Sequence, residues 1–238
     1  MVKLGRPVKG TARTYRSVGR EEQARATRRA VVAAATRLFV ERGYGVTTID
    51  AIAAKAKVSR ATVFASVGGK ADILKAAYDI ALVGDDEPVA LPDRPESRRV
   101  IAEVDAARML RGYAAISTAV SGRVAPMYEA VRGAAGTDPG GRVIWDTVRA
   151  ERRIGARNVV RLVEERATLR DGLDTDRAAD IVFAFNDPGL YHLLVRDRGW
   201  DVETFEAWLA KTLSQQLLAP PARRLHGSRA TLRMEEYL

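Results

Sequence analysis

Apolar residues recur along this chain at spacings of three and four, with no convincing two-residue alternation of the kind a half-buried strand needs. Val31, Ala35, Leu38 and Phe39 share one face of a helix predicted over 21–42, which Gly43 ends. Ile49, Ile52, Ala53 and Ala56 mark a second helix, and Thr47 with Asp50 three residues on resembles a capping box, so Thr47 is the expected N-cap. Ser59 opens a short helix over 60–66, whose Val58, Val63 and Val67 face inward. Gly68-Gly69 closes it, and Lys70 starts a fourth helix carrying Ile73, Leu74, Ala77 and Leu82. The acidic, proline-broken run DDEPVALPDRPE at 85–96 is the clearest boundary. Beyond it, helices are expected over 96–103, 105–122, 124–135 with Pro126 in its first turn, 141–168, 174–186, 188–197 and 201–218. The fold class is all-α. The expected units are a disordered arm at 1–20, a helical domain at 21–84, a second helical domain at 85–219 and a loose tail at 220–238.

Two short helices joined by the three- or four-residue turn at 55–58 match a helix-turn-helix, whose second helix enters the DNA major groove. Arg60 and Thr62 can reach base edges or phosphates, and Ala61 can meet a thymine methyl. The charge falls where such a role needs it. Of a net +9, residues 1–75 hold 16 Lys/Arg against 5 Asp/Glu, a net of +11, which leaves the rest of the chain at −2. Neutralising phosphates supplies most sequence-independent affinity for DNA. The arm at 1–20 has six Lys/Arg, no acid and too little apolar surface to pack. It either adds phosphate or minor-groove contacts or stays a solvated tail.

The helix at 21–42 followed by GYGVTTIDAIAAKAKVSRATVFASVGGKADIL resembles the N-terminal domain of the TetR/AcrR family of transcriptional regulators, over roughly residues 21–84. The resemblance implies an all-α homodimer with an N-terminal helix-turn-helix domain and a ligand-binding, dimerising domain behind it. The helix from Lys70 to Val83 would link the two. It implies a repressor that a small-molecule inducer releases from a palindromic operator in double-stranded DNA. Arg60, Ala61 and Thr62 would then read bases, with Thr48, Ser59, Phe64 and Lys70 along the backbone. Three departures bear on this. Lys57 stands where the turn commonly has glycine. Phe64 replaces a tyrosine whose hydroxyl often meets a phosphate. Ser66 and Val67 replace a frequent His and Phe. Lys57 and Phe64 keep a second class open: a dimeric ligand-binding or protein-interaction module that no longer reads DNA specifically.

For the ligand, Met109, Tyr113, Ile116, Met127, Tyr128, Trp145 and Val148 are the candidates, although Met and aromatic stripes at helical spacing also serve as plain core. Arg149 and Arg152, on the face of Trp145, offer either a positive rim for an anion or a solvated basic face. For the dimer interface the candidates are Phe185, Phe205, Leu209 and Leu213. No cofactor or metal site is expected, because there is no cysteine and only two histidines, His192 and His226, neither with a ligand set around it. No phosphate-binding or nucleophile motif occurs, so an enzyme is not expected. With no apolar run of membrane-spanning length, no disulfide and no signal-peptide pattern, the expected location is the cytoplasm, away from membranes.

Overall fold

The computed structural model describes residues 11–220, with side chains from Gly19 onward. Residues 1–10 of the basic arm, and 221–238 of the tail with His226, lie outside the described residues. The elements are α1 (Thr11–Arg42), α2 (Ile49–Ala56), α3 (Arg60–Ser66), α4 (Lys70–Val83), a 3-10 turn (Leu91–Asp93), α5 (Pro95–Ala102), α6 (Ala106–Ala135), α7 (Pro139–Glu164), α8 (Thr175–Phe185), α9 (Pro188–Tyr191) running into a π-helical turn (His192–Asp197), and α10 (Val202–Leu217). Apart from one antiparallel bridge between Leu169 and Leu218, no strand forms among the described residues.

Helix α7 ends at Glu164 where 168 was expected, the expected helix at 188–197 divides at Tyr191, and three further differences bear on the site. Helix α1 starts at Thr11, ten residues before Glu21, so the second half of the basic segment is helical. The N-cap of α2 is Thr48, whose Oγ1 accepts the Ala51 N–H at 3.1 Å. Thr47 is instead buried, with its hydroxyl 2.8 Å from the Gly43 carbonyl, where it ties the end of α1 to α2. The third difference is α6, which is one helix where two were expected. Pro126 lies inside it and removes the hydrogen bond to the Gly122 carbonyl. Val124, Ala125, Met127 and Tyr128 are all buried around that point, and their packing outweighs one lost backbone bond.

Two cores result, and they do not divide at residue 84. The first joins Val31, Leu38 and Phe39 of α1, Ile52 of α2, Val63 of α3 and Leu74 of α4 to Val124, Met127 and Val131 in the second half of α6 and Val148 of α7. The second gathers the start of α6, the end of α7, and α8 to α10. Helix α4 is therefore welded to both the helix-turn-helix and the body. The α6–α7 corner is tight: a Cβ on Gly141 would sit 2.6 Å from the Ala134 carbonyl oxygen, so only glycine fits.

At the turn between α2 and α3, Lys57 has φ 57° and ψ 42°, the left-handed region. It is the only non-glycine residue with positive φ among those described. A side chain there costs about 1–2 kcal/mol, partly offset by the greater freedom a glycine loses on folding. Lys57→Gly should raise stability by about 0.5–1 kcal/mol in denaturant titration, and Lys57→Ala should not. Equal effects from the two would remove the backbone explanation.

Candidate nucleic-acid interface and interior cavity

Helix α3 is held from both ends. Ser59 Oγ accepts the Thr62 N–H at 3.0 Å, and Val63 inserts fully into the first core. Half-buried Val58 and Val67 pack on either side, as their spacing predicts. Gly68, at φ 117°, turns the chain into α4, where Asp72 accepts the Gly69 N–H at 2.8 Å. This leaves Arg60, Ala61, Phe64 and Ala65 exposed on the outer face, with Thr62 half-buried at its edge.

The candidate contacts are not equally free. The Arg60 guanidinium lies 2.9 Å from Asp50 and 5.7 Å over the Phe64 ring. Both ion-pair partners are more than half exposed, a setting worth only about 0–1 kcal/mol, so a phosphate or guanine can compete for Arg60. Phe64 is 45% exposed and has no hydroxyl to offer a phosphate. Its ring suits a thymine methyl instead. Thr48 and Ser59 act as caps with their hydroxyls at the surface. Lys70 is the most engaged: its Nζ lies 4.1 Å over the Tyr44 ring and 3.3 Å from the Gly45 carbonyl oxygen, and burial lowers its pKa. The Tyr44 hydroxyl donates to Asp138, the N-cap of α7, at 3.2 Å; burial and that carboxylate push its pKa up to about 12. Lys70 thus sits at a joint between the helix-turn-helix and α7. At the start of α4 the Gly69 N–H is already taken by Asp72.

The acidic segment after α4 is a strap. Asp86 lies 3.0 Å from Arg25 and 3.1 Å from Arg29 of α1. Asp85 takes both Arg94 terminal nitrogens at 2.7 Å, which holds its carboxyl down at about 2. Leu91 then reaches back to a cavity of about 200 Å³ inside the body. Helix α4 supplies Tyr78 and Leu82 to its wall, α6 supplies Tyr113, Ile116, Val120 and Val124, α7 supplies Val148 and Arg152, and Asn186 closes one end.

Of the ligand candidates, Tyr113, Ile116 and Val148 line this cavity. Met109 does not: it packs in the second core. Met127 is buried in the first core. Tyr128 and Trp145, with ring centroids 5.2 Å apart, border a separate surface hollow that Arg149 shares. Arg152 lines both that hollow and the cavity; its side chain is 10% exposed and 2.8 Å from Asp187, so it is not a solvated face. Tyr78, Leu91 and Asn186 were not anticipated, and Arg152 was read only as a rim for an anion or a solvated basic face. One signal did exist, since Tyr113, Ile116, Val120 and Val124 follow a single helical stripe across the supposed break at Gly122.

The interface candidates fare differently. Phe205, Leu209 and Leu213 are 2%, 1% and 0% exposed within a single chain, and Phe185 is partly buried against the same core. The first three offer a partner no surface. Val40 of α1 and Val202 of α10 are singly exposed apolar positions on long helices, whereas α7 exposes two, Val143 at 62% and Ile154 at 61%, with Thr147 and Ala150 between them on one stripe. Among the described residues no helix is long and apolar enough to cross a membrane.

Residues 31–77 match the family model described as bacterial regulatory proteins, tetR family. A search of curated proteins finds no match. Solved structures that resemble the chain include NalD, the secondary repressor of the MexAB-OprM multidrug efflux pump in Pseudomonas aeruginosa, at 20% identity and a TM-score of 0.63, covering 82% of this chain and 98% of that one. A TetR-family transcriptional regulator from Syntrophomonas wolfei aligns at 15% identity and a TM-score of 0.64, covering 80% and 94%. A transcriptional regulator from Saccharomonospora viridis, solved with choline, aligns at 19% identity and a TM-score of 0.59, covering 81% and 98%. At these identities the likeness establishes the fold.

Proposed function

We propose that this chain, whose residues 31–77 match the tetR-family model, is a sequence-specific DNA-binding regulator of that family, a repressor that a small molecule in the α4–α6–α7 cavity releases from a palindromic operator. The observation that carries this reading is the build of α3: capped by Ser59, anchored by Val63, and presenting Arg60, Ala61 and Phe64 outward. The +11 charge of residues 1–75 supports it. A palindrome needs two recognition helices, so the active form is a homodimer of twofold symmetry. We place its interface along Val143 and Ile154 of α7, not in the α10 core.

Support for coupling comes from α4. Its first turns put Lys70 over the Tyr44 ring and Ile73 and Leu74 into the same core as Val63 of α3, and its last turns carry Tyr78 and Leu82 into the cavity wall. A ligand that favours one setting of α4 therefore favours one setting of the recognition helices. The relatives solved with a drug-efflux role or a choline ligand are consistent with an effector site in this body. Thermodynamic reciprocity supplies the test. Any small molecule that raises the melting temperature through the cavity should weaken operator binding, and the operator should weaken its own binding by the same factor. Stabilisers that leave operator affinity unchanged would separate the cavity from regulation.

A further inference from the structure

The strap between α4 and α5 is braced so that it moves as one piece. Its start is fixed from α6: Arg123 Nη2 donates to the Leu82 carbonyl at 3.1 Å, and Gly84, at φ 99°, turns the chain out of α4. Its two ends are tied together by Arg94, whose side chain is 17% exposed. Arg94 gives both terminal nitrogens to Asp85 at 2.7 Å and its Nε to the Val89 carbonyl at 3.3 Å. A guanidinium fork on a carboxylate fixes direction as well as distance. Residues 85–94 therefore form a closed ring with a brace at its middle, and a shift at one point is carried to the others.

Two side chains leave that ring for different places. Asp86 reaches α1, where it lies 3.0 Å from Arg25 and 3.1 Å from Arg29, and its carbonyl accepts Arg25 Nη2 at 3.1 Å. On the same turn of α1, Arg28 Nη1 donates to the Ser66 carbonyl at 3.0 Å, at the end of α3. Leu91 instead reaches into the cavity wall. Beneath the strap, between it and α4, lies a surface hollow, and Leu82, Leu91 and Glu151 line both the hollow and the cavity. Those three form the neck between the two spaces. Leu82 is carried by α4 and packs on the first core, and Glu151 lies 3.3 Å from Lys75, which Asp79 also holds at 2.6 Å. Leu91 sits on the strap, half-buried and followed by exposed Pro92 and Asp93, so of the three it is the one that can withdraw.

We propose that the strap is the door of the cavity and that α1 holds it shut. A small molecule enters from the hollow by displacing Leu91, and because residues 85–94 move together, the displacement lifts Asp86 from Arg25 and Arg29. The cavity thereby gains a route to α3 through α1 and the Arg28–Ser66 bond, beside the one through α4. The ion pairs on α1 are part-exposed and weak, which suits a latch that a ligand has to break. The proposal rests on the cavity being the effector site, but its test needs neither effector nor DNA, so its failure leaves that reading standing.

The chain has no cysteine, so one thiol placed in the cavity wall reports access without background. Val148 lines the cavity and is 0% exposed. Alkylation of full-length Val148→Cys by iodoacetamide is followed by mass, and its rate is proportional to the open fraction when opening and closing are fast. Leu91→Ala should speed it at least about ten-fold, because the side chain that closes the neck is gone. Asp86→Lys, which sets a third positive charge beside Arg25 and Arg29, should speed it about five- to thirty-fold, the weight of two part-exposed ion pairs. Adding Arg25→Glu and Arg29→Glu to Asp86→Lys should restore the slow rate. Leu213→Cys, in the second core, reads global unfolding and should respond to none of these changes. An Asp86→Lys rate equal to that of the natural strap would overturn the proposal, since α1 would then only tether the segment. No effect of Leu91→Ala would overturn it by placing entry elsewhere. An equal rise at Leu213→Cys would overturn it by assigning the effect to a general loosening of the fold.

Discussion

Phe205→Ala is expected to cost about 3–5 kcal/mol of folding stability and to leave the association state of the folded fraction unchanged. The ring is 2% exposed inside its own chain, where it meets Tyr191 at 5.2 Å and Trp208 at 5.6 Å. Removing it empties a site bounded by α6, α9 and α10, and neighbours of that size cannot collapse into the gap. Ile154→Glu should do the reverse. Ile154 is 61% exposed in the single chain, so a charge there is nearly neutral for the fold but is buried when two α7 stripes meet. Denaturant titration and sedimentation together check the pair. A dimer that survives Ile154→Glu while Phe205→Ala yields a folded monomer would return the interface to α10.

The second large effect concerns Arg60. Its ion pair with Asp50 is exposed and weak, so the free protein spends little to hold it, whereas a bidentate contact to guanine or phosphate is worth about 1–3 kcal/mol. Arg60→Ala should therefore lower operator affinity by roughly 10- to 100-fold. Asp50→Ala should tighten it, because the competing carboxylate is gone. If Arg60→Ala leaves affinity intact, the outer face of α3 is not what reads the DNA. If both variants weaken binding equally, the Arg60–Asp50 pair acts as a brace for α3.

What could be read from sequence follows from how local the physics is. Caps and helical stripes act within one or two turns, and so the spans of α2 and α3 and the Ser59 cap were legible, while Lys57 was singled out only by the resemblance, as standing where the turn commonly has glycine. The Thr47–Thr48 exchange was not, because both hydroxyls suit a cap and only the end of α1, which meets Thr47 from the side, decides between them. Pro126 misled for a related reason: its cost is local, while the packing that outweighs it comes from other helices. The cavity draws Tyr78, Leu91, Arg152 and Asn186 from separate segments. Beside Glu151 and Asp146, Arg152 reads as a surface residue; its burial is set by Phe183 and Asp187 beyond the next turn of the chain. The apolar residues of α10 looked like an interface because the resemblance puts dimerisation in the second domain, and the same residues equally fill the chain's own core.

Specific DNA recognition is tested most directly by fluorescence anisotropy of the full chain with DNA from upstream of its own gene, against a scrambled duplex, across a salt series. Binding of the natural fragment at least about 10³-fold tighter, with log affinity falling steeply and linearly in log salt, is the predicted result. Equal affinity for the two duplexes at every salt concentration, or no binding to either at low salt, would contradict it and favour a module that binds ligands or proteins through the same fold.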